Sequence, residues 1–212
     1  MGEEPLGCAS VETLVDAPLR TLACVRTDVG AGNGGQGRIL LSDACVGWAR
    51  TAGYVTAVAD DGEIQLRSEI GAPTRYYIRR RGLDRLELTQ ADDGGDEYPV
   101  LFVAAVEVLE RYLVGGLFAD DIREDLDLPS LDLPWGSADL CTGFELSEMV
   151  RGYRTLKRAD GTPIAAAPDP YLSVLALVPL SHYLQWSVTD LKRSFLHPSG
   201  APLLRHGRYS SP

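Results

Sequence analysis

Apolar and polar positions along this chain follow two periods, and the switches between them predict the elements. Behind Ser42, a good N-cap, the stripe Ala44, Cys45, Trp48 and Ala52 has helical spacing and stops at Gly53. From Tyr54 the period becomes two. Residues 54–59 are followed by Asp60-Asp61-Gly62, and then Ile64, Leu66 and Ser68 alternate with Gln65, Arg67 and Glu69, which predicts a hairpin. Residues 74–79 and 85–90, joined across Gly82, predict two further strands and complete an antiparallel meander.

The second half is less regular. The apolar run over 99–118 predicts one long helix covering the sheet's apolar face, with Gly115-Gly116 weakening its end. Residues 126–134 hold two prolines and are expected to lie extended over the core through their leucines, anchored by Trp135. Residues 144–150, 153–158 and 162–167 read as strands, the last two linked by Ala159-Asp160-Gly161, forming a second small sheet or an extension of the first. An apolar stretch over 171–184 contains Pro179, and Ser187 with Asp190 forms a capping-box pattern ahead of Leu191 and Phe195, in a helix that ends at His197-Pro198. The expected fold is therefore α+β: an antiparallel β-meander covered by a long helix, with a second small β-hairpin region and C-terminal helices. Residues 1–38, ending in the glycine run 30–37, read as a poorly ordered leader, and residues 39–212 as a single domain.

Composition and charge narrow the function. With 212 residues, 45% apolar and 24% charged, the chain suffices for one well-cored domain. A net charge of −10 argues against a nucleic-acid backbone or an anionic membrane as the main partner. The charge is unevenly spread. Twelve acids face two bases between Asp92 and Asp132, whereas eight bases face three acids from Val150 onward. Glu107, Glu110 and Arg111 interrupt the most apolar run, so it reads as core and not as a membrane span. The N-terminus shows no secretory pattern and the cysteines Cys8, Cys24, Cys45 and Cys141 are dispersed, which points to a cytoplasmic protein with reduced thiols.

Candidate chemistry is sparse. Gly30, Gly32 and Gly35 spell a phosphate-binding fingerprint, but no strand and helix flank it in a βαβ unit. His182, His197 and His206 have no metal-ligand spacing, and Ser181-His182 is not a nucleophile–base pair by adjacency alone. The acidic pairs Asp120-Asp121 and Glu124-Asp125 lack the alternating ligands and glycine turn of a cation loop, and Asp60, Asp61 and Asp160 sit where turns favour Asp. Tyr76 and Tyr77 place one ring on each sheet face. No catalytic, cofactor-binding or metal-binding residue is expected.

Five stretches occur in order: Trp48-Ala49-Arg50-Thr51-Ala52-Gly53-Tyr54, Thr74-Arg75-Tyr76-Tyr77-Ile78, Glu110-Arg111-Tyr112-Leu113, Gly143-Phe144 and Leu180-Ser181-His182-Tyr183-Leu184. Together, over about residues 40–205, they resemble the actinobacterial TNT antitoxin family, immunity proteins against tuberculosis-necrotizing-type toxins. The resemblance implies an immunity-type domain over 39–212 that is not an enzyme. It also implies a cytoplasmic monomer or small oligomer whose partner is a cognate TNT-type toxin domain, an NAD-hydrolysing enzyme, and inhibition by occlusion of that active site. Charge and expected exposure, not the resemblance, single out Asp120, Asp121, Glu124 and Asp125, then Asp60 and Asp61, as toxin-binding residues. Two other readings stand beside it: an acidic adaptor or regulatory binding domain, and an enzyme of unrecognised type built on an Asp, His182 or Cys45.

Overall fold

A computed structural model describes residues 38–69, 74–82 and 84–212, so the leader with its glycine fingerprint, Cys8 and Cys24 lies outside the described residues apart from Arg38. Helix α1 (Asp43–Thr51) opens the fold, its N-terminus capped by the Ser42 hydroxyl accepting from the Cys45 amide at 3.2 Å. Five strands then run antiparallel in sequence order: β1 (Tyr54–Val58), β2 (Ile64–Ser68), β3 (Arg75–Arg80), β4 (Leu86–Ala91) and β5 (Tyr98–Val103). The chain crosses the sheet through α2 (Val106–Tyr112), a π-helical turn over Leu113–Leu117 and α3 (Ala119–Asp125). It returns as β6 (Phe144–Leu146), β7 (Tyr153–Arg158) and β8 (Pro163–Pro168), and ends with α4 (Leu172–Tyr183), α5 (Val188–Leu196) and the two-stranded ribbon β9 (Leu204–Arg205) and β10 (Arg208–Tyr209). The main sheet has the order β1-β2-β3-β4-β5-β8-β7-β6, two meanders fused where β5 pairs with β8.

The α+β class and the hairpin at Asp60-Asp61-Gly62 are as the alternation predicts. Gly62 takes a φ of 85°, and Asp61 accepts from the Glu63 amide at 3.0 Å. Two expectations need correction. The run 99–118 is not one helix: Tyr98–Val103 is a central strand, and helix begins only at Val106. This strand is paired on both sides, its inward residues lie under the helices and Phe102 on the other face is covered by Tyr153, so the run is continuously apolar and its composition does not separate it from a buried helix. The other is a boundary: of the two alternatives for the segments after Gly143 the structure shows the extension of the main sheet, but their first strand stops at Leu146 and not at 150, and Val150 makes only an isolated bridge to Tyr153.

Register sorts the side chains. Ile64, Leu66, Tyr76, Ile78, Leu88 and Leu101 point to the helical layer and are buried with Trp48, Leu109, Leu113, Phe118, Leu177 and Tyr183 in one core. The opposite face carries Arg67, Arg75, Tyr77, Arg79, Thr89 and Thr155, and among the described residues no helix packs on it. Tyr76 is buried while Tyr77 lies half-buried under the Arg79 guanidinium, 4.7 Å from its ring centroid. Phe102 is shielded on that open face by Tyr153, edge-on at 5.5 Å. α4 continues through Pro179, and the capping pattern at Ser187 is realised, with the Asp190 amide donating to the Ser187 hydroxyl at 3.1 Å.

Candidate functional site

A groove of about 800 Å³ lies on the helical side, at the end of the sheet where β5 begins and β8 ends. Its floor is made of small residues. Gly115 and Gly116 of the π-helical turn lie beside Ala167 of β8 and Ala176 of α4. Gly115 is required by close approach, because a Cβ there would stand 2.7 Å from the Tyr183 ring. The deviation from α-helix at Leu113–Leu117, with the Phe118 amide donating to the Leu113 carbonyl at 2.9 Å, sets this low floor between α2 and α3.

The rim is aromatic and acidic. Tyr98 (43% exposed), Trp135 (41%) and Leu172 (59%) line the groove, and Tyr171 (56%) meets Trp135 edge-on at 5.2 Å. Trp135 thus does not anchor the Leu-Pro segment in the core; Leu131 and Leu133 do so, and Trp135 stands at the mouth. The charged groups lining the groove are Asp120, Asp132 and Asp169, and its lining contains no Lys, Arg or His among the described residues. Asp169, at a φ of 67°, accepts from the Tyr171 and Leu172 amides at 2.7 and 2.9 Å and so fixes the start of α4.

One buried cation holds the segment that forms a wall of this groove. Arg123 is 1% exposed and donates to the carbonyls of Pro129 (2.8 Å), Phe195 (2.6 Å), His197 (3.0 Å) and Pro198 (3.0 Å). Its fork ties the loop after α3 to the end of α5. From sequence it reads only as a base in an acidic stretch, since four carbonyl acceptors leave no residue-type signal.

The acids singled out from sequence fall in three places. Asp120 faces the groove. Asp121, Glu124 and Asp125 line a cleft with Tyr54, Ser68 and Thr74, at the open end of the β1–β2 hairpin. Burial, with Asp120, Glu124 and Asp125 nearby, raises the Asp121 carboxyl above its usual range against the opposing hydrogen bond from Tyr54, whose own hydroxyl is pushed up to about 12. Asp60 and Asp61 are exposed in the turn at the hairpin's other end, about 13 Å away along β1, so the two acidic groups do not form one surface.

The groups an enzyme reading needs are dispersed. Cys45 is buried in the core with its thiol pushed up to about 12 by burial and then by Glu110. His182 stacks on Tyr209 at 3.6 Å with Nε2 2.7 Å from the Asp139 carbonyl, and burial lowers its pKa. His197 Nδ1 accepts from the Ser199 amide at 3.2 Å beyond α5. Among the described residues no three His, Cys, Asp or Glu side chains cluster as metal ligands, and no helix is long and apolar enough to cross a membrane.

The motif residues that carry the family resemblance build the frame. Trp48 Nε1 donates to the Val114 carbonyl at 3.1 Å, the Glu110 carboxylate accepts from the Ser42 amide at the start of α1, and Arg111 Nε donates to the Trp186 carbonyl at 3.0 Å. In class this is an immunity protein: the chain belongs to the Immunity protein 61 family, whose model matches residues 48–203. It is similar to the immunity factor for TNT of Mycobacterium tuberculosis (strain ATCC 25618 / H37Rv), 32% identical over 167 residues that span 74% of this chain and 88% of the relative. The immunity factor for TNT homolog of Mycobacterium bovis (strain BCG / Pasteur 1173P2) matches to the same extent. The solved structure of Rv3902c from M. tuberculosis superposes with a TM-score of 0.69 at 30% identity, covering 77% of this chain and 92% of that one.

Proposed function

We propose that this chain neutralises a TNT-type toxin by binding the toxin domain and occluding the site where it hydrolyses NAD, without catalysis of its own. The observation that carries this reading is the 32% identity over 167 residues to a protein named for immunity to TNT. The dispersal of Cys45 and His182 supports it, because occlusion needs surface and not reactive groups. The exposed acids Asp120, Glu124 and Asp125 on α3, with Asp121 behind them, are the candidate steering surface for a basic rim on the toxin, and Asp60 and Asp61 are a second, separate patch. The cytoplasm is the compartment in which such a protein meets its toxin before export. The test is gel filtration of this protein with the TNT-type toxin domain encoded beside its gene, followed by an NAD-hydrolysis assay of the complex. Co-elution with loss of activity at one equivalent is expected; two separate peaks and full activity would refute the proposal.

A further inference from the structure

We infer that the groove between β5, β8 and α4 is the docking site for a protruding segment of the toxin domain, one that presents an apolar side chain flanked by Lys or Arg. This rests on the function proposed above and names the surface that performs it. Three observations select this occupant. First, large apolar side chains are left in solvent around one opening: Trp135, Tyr171 and Leu172, with Tyr98 across from them. An exposed aromatic cluster around a concavity is the composition of a binding hot spot and costs solubility unless a partner covers it. Secondly, the charge is complementary to a cation. Asp120 and Asp132 carry no ion pair among the described residues, and the lining has no basic side chain. A nucleotide or other phosphate compound would meet only like charge there, whereas a Lys or Arg beside an apolar anchor finds carboxylates at the rim and aromatic faces for its stem. Thirdly, the floor is pre-formed. Gly115 is held by the Tyr183 ring and the wall by Arg123, so little ordering accompanies docking.

The test is the affinity of the full toxin domain for four variants, measured by calorimetry alongside their melting temperatures. Leu172→Glu puts a charge at the mouth at a position already 59% exposed, and Ala176→Phe fills the floor. Each is expected to weaken binding by about 30-fold or more. Asp132→Lys is expected to weaken it about tenfold and to reduce its dependence on salt. Arg67→Glu, on the open sheet face, is expected to bind as the parent does. Groove variants that melt like the parent and bind with parental affinity, while the parent inhibits, would overturn the groove assignment and leave the immunity reading standing. Loss of binding in Arg67→Glu alone would move the interface to the sheet's open face and likewise overturn it. A parent that neither binds nor inhibits the toxin would end both.

Discussion

The Trp135 indole meets the Tyr171 ring edge-on, with centroids 5.2 Å apart, although 35 positions separate them in the chain. The pair joins the Leu-Pro segment to the start of α4 and makes the mouth of the groove. Because both rings remain about half exposed, truncation costs little stability. Trp135→Ala is expected to lower the unfolding free energy by about 1 kcal/mol in urea titrations, while weakening toxin binding by a larger factor. A loss of several kcal/mol would place Trp135 in the core instead.

Arg123 is the opposite case. It is fully enclosed, and its partners are main-chain carbonyls that keep their need for a donor when the side chain goes. Arg123→Met is expected to destabilise by on the order of 3 kcal/mol, and Arg123→Lys by nearly as much, since an ammonium does not reproduce the fork. Denaturation midpoints of the two variants check this; a Lys variant as stable as the parent would contradict it.

Two glycines separate packing from backbone effects. Gly115→Ala drives a methyl into Tyr183 and Phe195 and should cost about 1–3 kcal/mol. Gly47, exposed within α1 where a methyl group would meet no other side chain, should gain about 0.5–1 kcal/mol as Ala. Thermal melts of the pair should therefore shift in opposite directions.

Asp121 gives a pH signature. Burial first, then neighbouring Asp120, Glu124 and Asp125, raises its carboxyl pKa in the folded chain. A carboxyl whose folded pKa lies above its unfolded value binds protons more readily when folded, so unfolding free energy falls as pH rises from about 4 through the raised value. The destabilisation is then fully present at neutral pH. Asp121→Asn keeps an acceptor for Tyr54 and removes the charge, so it should melt above the parent at pH 7, with the difference vanishing below about pH 4. A variant less stable than the parent at pH 7 would contradict this.

What was legible in the sequence is what local period and turn chemistry encode. β1 to β4 follow from alternation and from the Asp-Gly turn, and α5 follows from Ser187 and Asp190. β5 reads as helix in the sequence because Pro99–Val103 is apolar throughout, with Leu101, Phe102 and Val103 all buried, and so shows no alternation. The family was legible because the stretches holding Trp48, Glu110 and Arg111 stand in an order that resembles it, and those residues prove to be internal braces. The groove was not, because Tyr98, Trp135 and Leu172 come from β5, a loop and α4, each of which reads singly as core. Asp120 was reached by charge alone; Asp121, one position on and about 100° round α3, faces the β1–β2 hairpin with Asp125, while Glu124, one turn beyond Asp120, shares a cleft with each of them.

We propose that this protein stops the toxin by covering the site where NAD binds. Initial rates of NAD hydrolysis by the toxin domain, taken across a range of NAD concentrations at several fixed concentrations of this protein, test it most directly. Occlusion predicts that the concentration of this protein giving half inhibition at equilibrium rises linearly with the NAD concentration. Undiminished rates, or a half-inhibiting concentration that does not change with NAD, would contradict it.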